Sequence, residues 1–307
     1  MGLLSNLFGY LLNVLYGVFN NYGIAIILFS IILRIILVPI TISQQKSMKK
    51  TSKIQKETQE LQKKYKNNQE KLNQEIMELY KKEKMNPFSG CLSAIIQIVI
   101  ILSVFWLVSQ PLTYMKHVQE LDIYKEYSKK IEESGNRASY KEIAVINAVE
   151  SDYQEIENNL ENSDVENREE LESKKNELDK LRLNMDFLGL DLSKVPTQSL
   201  NDYKVYIIPI LYVISSFVSI KMTTNMQNSR DKNNGDIEKA KEDSNELEAM
   251  QSMNKSMTYM MPIMSVSIAL IAPLGLALYW LVSNILMIIE RVIIQKIMNS
   301  KEENENA

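Results

Sequence analysis

The sequence predicts an all-α membrane protein, with five transmembrane helices around a polar groove, an N-terminal interfacial helix and extramembrane helical hairpins. Three observations predict it. Apolar blocks nearly free of charge alternate with blocks that are mostly charge, although 24% of all residues are charged; a soluble domain mixes both within each helix. The apolar blocks approach the length needed to cross a bilayer. Inside them the few polar residues recur at helical spacing, so each helix can turn one polar stripe inward.

Residues 1–21 are uncharged, and Leu4, Leu7, Phe8, Leu11, Leu12, Leu15, Val18 and Phe19 recur at helical spacing. A secretory signal would open on Lys or Arg and close on a small-residue cleavage site. The segment reads instead as an amphipathic helix lying on the bilayer. Residues 22–42 form the first span, about 31 Å long at the α-helical rise, and Pro39 near its end is tolerated in a membrane helix. Residues 43–90 hold 12 Lys against 6 Glu, a net charge of +6. Ile54, Leu61, Tyr65, Leu72, Ile76 and Leu79 follow a coiled-coil-like seam. A turn at Lys66-Asn67-Asn68-Gln69 interrupts it, which predicts an antiparallel helical hairpin outside the membrane.

Residues 91–110 are the second span. Residues 111–204 hold 13 Lys and Arg against 21 Asp and Glu, a net charge of −8. Ile146, Val149, Tyr153, Ile156 and Leu160 make a helical stripe there, Asn162-Ser163-Asp164 breaks it, and Leu171, Leu178 and Leu181 resume it. This predicts a second helical hairpin, on the opposite side of the membrane from the first. Residues 205–220 are the third span and 221–257 a polar loop. Residues 258–271 and 276–296 are the fourth and fifth spans, separated by Ala272-Pro273-Leu274-Gly275, and 297–307 is an acidic tail. The basic cluster Lys46, Lys49, Lys50, Lys53 and Lys56 marks its end of the first span as cytoplasmic. Five spans then give a multi-pass cell-membrane protein with its N-terminus outside and its C-terminus in the cytoplasm.

Several function classes drop out. A net charge of −3 gives no footing for sequence-specific nucleic-acid binding. One cysteine, Cys91, and one histidine, His117, cannot build a His/Cys metal cluster. The sequence has no Walker loop, dinucleotide fingerprint or HExxH motif. The expectation is a protein that is not an enzyme and takes no metal or cofactor.

The candidate site is built around Arg34, in the middle of the first span. A central membrane arginine costs about 2.5–3.5 kcal/mol on insertion scales, so something should compensate it. Gly23, Ser30, Arg34 and Thr41 share one stripe; Ser93 and Gln97 align on the second span, and Tyr212, Ser215, Ser216 and Ser219 on the third. Thr258 and Ser265 align on the fourth; Tyr279 and Ser283 align on the fifth, beside Trp280 and Asn284. Turned inward, these residues would line a hydrated cavity. No Asp or Glu reads as deep in a span, so the expected cavity holds one unneutralised guanidinium whose partner is an acidic group of a substrate. Two alternatives stand beside this. Arg34 lies about 12 Å along the axis from the cytoplasmic end of its helix and can snorkel toward it. Ser and Thr in membrane helices often bond their own backbone or pack against neighbours.

The run from Tyr22 through Arg34 and Pro39 to Ser43–Met48 resembles the first core span of the YidC/Oxa/Alb family of membrane insertases. Gln74–Tyr80, Lys81–Pro87 and Gly90-Cys91 resemble its cytoplasmic hairpin and the start of its second span. Phe187–Ser193 and Tyr206–Ile210 resemble the approach to its third, and Leu278–Asn284 its last. The resemblance implies a five-helix bundle around a groove open to cytoplasm and lipid, with Arg34 as the groove arginine and Trp280 as a groove aromatic. It implies a membrane protein insertase and chaperone whose partners are nascent membrane proteins and the lipid bilayer. The family works alone or beside the Sec translocon, and sometimes beside ribosomes. Departures are specific. Ser93 and Val99 occupy places where the second span usually carries prolines, Ser219 takes the third-span polar site, and Glu290 stands where the last span usually has glutamine. The alternatives are a secondary transporter for a small anion, which would usually show repeated halves, and a membrane assembly scaffold without insertion activity.

Overall fold

The structure, a computed structural model, describes residues 2–65, 68–82, 89–134, 140–161, 167–232 and 267–305. Its helices are α1 (Gly2–Phe19), α2 (Tyr22–Lys64), α3 (Gln69–Lys82), α4 (Ser89–Ser109), α5 (Pro111–Tyr114), α6 (Asp122–Glu133), α7 (Lys141–Glu161), α8 (Arg168–Asp179), α9 (Ile207–Lys232) and α10 (Leu274–Glu305). Two short antiparallel strands, β1 (Asp186–Phe187) and β2 (Leu190–Asp191), interrupt the helical pattern.

Four segments among the described residues are long and apolar enough to cross a membrane: Gly2–Phe19, Tyr22–Gln45, Tyr203–Met222 and Leu274–Ile297. A shorter apolar stretch, Ile95–Ser109, belongs to α4. The first, third and fifth expected spans thus fall on α2, α9 and α10, and the second on α4. The fourth lies outside the described residues apart from its last turn, 267–271, as do residues 233–257 of the polar loop. α10 packs against both α2 and α9, and α1 lies against α2 and α4. Leu12, Tyr22, Ala25, Ile26, Phe29, Leu107, Leu276 and Ala277 form the shared core. Facing away from it, Ile210, Ile214 and Phe217 on α9 and Ile285, Ile289 and Ile293 on α10 are exposed in steps of one helical turn. Apolar stripes of this extent need lipid rather than water against them, and the chain is a multi-pass α-helical membrane protein.

α1 approaches its neighbours closely because small residues line its inner face. A Cβ on Gly9 would fall 1.7 Å from the carbonyl oxygen of Tyr114, and Ser5 Oγ donates to the Ser103 carbonyl at 3.0 Å. α2 runs unbroken through Pro39. At about 64 Å it is twice the hydrocarbon thickness, so its far half is an arm outside the membrane. α3 returns along that arm. Ile54, Leu72 and Leu79 are buried at the predicted seam, and Tyr65 donates its hydroxyl to Glu75 at 3.0 Å.

The region 111–204 departs from the expected single hairpin. Beyond the single turn of α5, its described residues form three helices, α6 packed on α7 and α7 on α8, around a core of Tyr127, Ile146, Val149, Leu178 and Leu181. The α7 and α8 stripes read from the sequence are buried there; α6 adds its own, through Ile123 and Tyr127. Glu142, 4% exposed, turns its carboxylate onto the start of α5. It accepts from Leu112 N at 2.7 Å and Thr113 N at 3.0 Å, from the Thr113 hydroxyl and from Tyr124 at 3.2 Å. Arg182 closes the α7–α8 side. Its Nε and Nη2 donate to Glu150 at 2.8 and 3.1 Å, and its Cζ sits 3.5 Å from the centre of the Tyr153 ring.

The Arg182 bond holds the Glu150 carboxyl below its ordinary range, against the opposing effect of burial. A carboxylate depressed in the folded state contributes stability above its unfolded value and loses it as pH falls through the folded value. The stability difference between the wild-type chain and Arg182→Gln, measured by thermal unfolding in detergent, should therefore be present at neutral pH. It should shrink below the ordinary carboxylate range. A difference that stays constant in acid would remove Glu150 as its source.

The segment after α8 joins the N-terminal ends of α2 and α10. Tyr22 N donates to the Asn184 carbonyl at 3.0 Å, and Asn21 Nδ2 to the Asp186 carbonyl at 2.6 Å. Ten residues on, Leu274 N donates to the Lys194 carbonyl and Gly275 N to the Leu192 carbonyl, both at 2.9 Å. These are orphan donors of two helix N-termini, satisfied by one strand–turn unit. Phe187 closes over Gly23, where a Cβ would meet the ring at 2.4 Å. The β1–β2 turn needs positive φ at both central residues, 56° at Leu188 and 75° at Gly189.

Candidate functional site: an ion pair inside the helical bundle

Arg34 reaches the middle of its span on α2 because an unbroken apolar helix leaves it no other place. The expectation of an unneutralised guanidinium does not hold. Arg34 Nε lies 2.6 Å from Glu290 Oε2 on α10, with the two side chains 19% and 7% exposed. α2 and α10 pack along each other from the joined ends at Tyr22 and Gly275. Arg34 lies about 18 Å and Glu290 about 23 Å from those ends, so helix register brings the opposite charges level. The contact is short, but it is an attraction of charges rather than an aligned hydrogen bond. Among the described residues, Arg34 Nε and both Glu290 oxygens lack an aligned partner. Arg291 lies within electrostatic reach of both members of the pair, and buried Tyr279 within reach of Arg34.

The other predicted site residues differ in what they meet. Tyr279 is buried, and half-buried Trp280 meets Tyr212 of α9 with ring centres 6.1 Å apart. Asn284 Nδ2 donates to Ser215 Oγ at 2.9 Å and to Ser216 Oγ at 3.3 Å, tying α10 to α9. Ser30 and Thr41 turn back to their own helix, donating to the Ile26 and Leu37 carbonyls at 2.7 and 3.3 Å. Ser219 and Ser283 are half-buried, and Gln97 is exposed on α4. Thr258 and Ser265 lie outside the described residues, as do the side chains of Ser93, Lys46, Lys49, Lys50, Lys53 and Lys56. The site residue that sequence reading missed is Glu290. Its signal was present as an acidic residue inside the fifth span, where glutamine is usual.

A cavity of about 530 Å³ opens elsewhere, between the end of α1, α7 and the segment after α8. Its lining charges are already engaged. Lys116 Nζ donates to the Lys180 and Arg182 carbonyls at 3.0 and 2.6 Å, and burial pushes its amine down to about 8. It is a junction of the extramembrane region, remote from Arg34. No cluster of His, Cys, Asp and Glu among the described residues is arranged to hold a metal ion.

The family model described as 60Kd inner membrane protein matches residues 14–302. A protein of Fusobacterium nucleatum described as membrane protein insertase YidC is 41% identical over 103 residues, 34% of this chain and 50% of that protein. One of Clostridium perfringens is 46% identical over 92 residues, 30% of this chain and 39% of that protein. One of Geobacter metallireducens is 45% identical over 94 residues, 31% of this chain and 18% of that protein. The chain thus spans half or less of the length of these relatives. With the family model covering most of the chain and an all-α bundle beneath it, the chain belongs to the 60Kd inner membrane protein family, that of YidC/Oxa/Alb.

Proposed function

We propose that this chain is a membrane protein insertase and chaperone that works through a hydrated groove around Arg34. Its family membership and the description of its relatives as insertases carry the reading. The position of a charged group inside an apolar bundle supports it. A nascent membrane protein offers its polar N-terminal tail to the groove, where Arg34 attracts acidic groups in the lowered dielectric of the bilayer. The tail then has less hydrocarbon to cross, and the apolar helix that follows leaves sideways into lipid. Burial of that helix, at about 25 cal/mol per Å², and the membrane potential supply the drive.

In this reading α1 lies on the outer surface of the bilayer. The N-terminus is outside, the C-terminus cytoplasmic, and the basic α2–α3 arm faces the cytoplasm. The Sec translocon and ribosomes are its prospective partners, beside nascent chains and lipid. Replacing Arg34 by Ala and by Lys in the reconstituted full chain tests the reading. Ala should lower insertion of acidic-tailed substrates at least about tenfold, the factor that about 1.4 kcal/mol gives, and Lys should retain most of it. Insertion untouched by Ala ends the electrostatic mechanism. A lost anion flux in its place favours a transporter.

A further inference from the structure

The counter-ion of Arg34 is built into the same bundle, and its setting is that of an exchangeable partner rather than a staple. A buried pair kept for stability needs good geometry and further hydrogen bonds on both ions, because each has given up its water. Here the two charges are 2.6 Å apart, but among the described residues no aligned hydrogen bond supports Arg34 Nε or either Glu290 oxygen. Glu290 also has a second guanidinium within reach, on Arg291 beside it. Release from Arg34 would therefore leave the carboxylate part of its electrostatic compensation. What it presents to Arg34 is chemically what an acidic tail would present.

We propose that Glu290 is a resident competitor for Arg34 and sets how acidic a substrate tail must be to engage it. This rests on the insertase reading above. A tail with a single carboxylate offers Arg34 no more than Glu290 already does. A tail with several raises the local concentration of carboxylate and displaces Glu290 from Arg34. Neutral tails leave the pair closed and pass without its help. Competition of this kind weakens apparent capture by the fraction of time Arg34 is free.

The test uses the full chain in vesicles of phosphatidylethanolamine and phosphatidylglycerol. Single-span substrates carry tails of equal length with no, one or several aspartates, asparagine replacing the rest, and a photo-crosslinker in the tail. Protease protection and crosslink yield to the chain are read together. With Glu290→Gln, the preference for a one-aspartate over an uncharged tail should rise about tenfold if the pair is closed nine-tenths of the time. Glu290→Asp keeps the charge and should keep the wild-type dependence on tail acidity. Arg34→Ala combined with Glu290→Gln should respond equally to all tails. If Glu290→Gln leaves the wild-type ratios in place while acidic tails are still inserted, the competitor role is wrong and the insertase reading stands. If the wild-type chain inserts none of the tails, both fall together.

Discussion

Arg34→Ala alone is expected to destabilise the helical bundle by about 3 kcal/mol, toward the low end of what removing one member of a buried pair costs. Glu290, 7% exposed, would be left in apolar surroundings with its nearest opposite charge gone, and Arg291 would compensate only part of the loss. Adding Glu290→Gln to Arg34→Ala should recover most of the stability, because a neutral amide leaves no buried charge to solvate. Unfolding of the purified chain in detergent, compared across the two single variants and the double, measures the coupling directly. A loss in the double variant equal to the sum of the losses in the two single variants would show that the charges do not couple. This measurement is separate from insertion activity.

Glu142→Ala is expected to unfold the outer region at least locally, at a cost of about 2–5 kcal/mol. Two amides, Leu112 N and Thr113 N, lose their acceptor, and each unsatisfied buried donor costs about 1–3 kcal/mol. Hydrogen exchange at those amides should accelerate in the variant far more than exchange in α3, which touches none of these groups. Uniform acceleration throughout would mean that α5 is not what Glu142 holds. Burial pushes the Glu142 carboxyl above its ordinary range, against its hydrogen bonds. Its titration therefore favours the folded state as pH falls through that raised value. Glu142 thus opposes Glu150, whose titration weakens the same region in acid.

Periodic features were legible in the sequence, and features made by packing were not. Segregated charge announced the spans, and the seven-and-four spacing that runs from Ile54 through Leu61, Tyr65, Leu72 and Ile76 announced the α2–α3 arm, because one-dimensional pattern decides both. The three-helix outer region was read only in part. The stripe from Ile146 to Leu160 is long enough to be seen, whereas the α6 stripe of Ile123, Tyr127 and Ile131 covers only twelve residues. Arg34 was conspicuous because it is alone in its apolar run. Glu290 was not, because it sits beside Arg291 near one end of a span and resembles an interfacial charge. That it meets Arg34 depends on the register of two helices far apart in sequence. Glu142 was likewise one acidic residue among 21 in its region until folding enclosed it. The serines and threonines are the reverse case. Their spacing was plain, yet Ser30 and Thr41 spend their hydroxyls on their own helix.

The joined N-terminal ends of α2 and α10 bear on how such a bundle moves. Tyr22, Leu274 and Gly275 all donate into the one segment that spans residues 184–194, so these two helices behave like the legs of a pair of tongs riveted at one tip. Any parting of the legs grows with distance from the rivet. It is least beside Phe187, appreciable where Arg34 faces Glu290, and greatest toward the α2–α3 arm. The space between the legs would thus be a wedge that narrows toward residues 184–194, and cutting the rivet should let the helices slide lengthwise before it lets them separate.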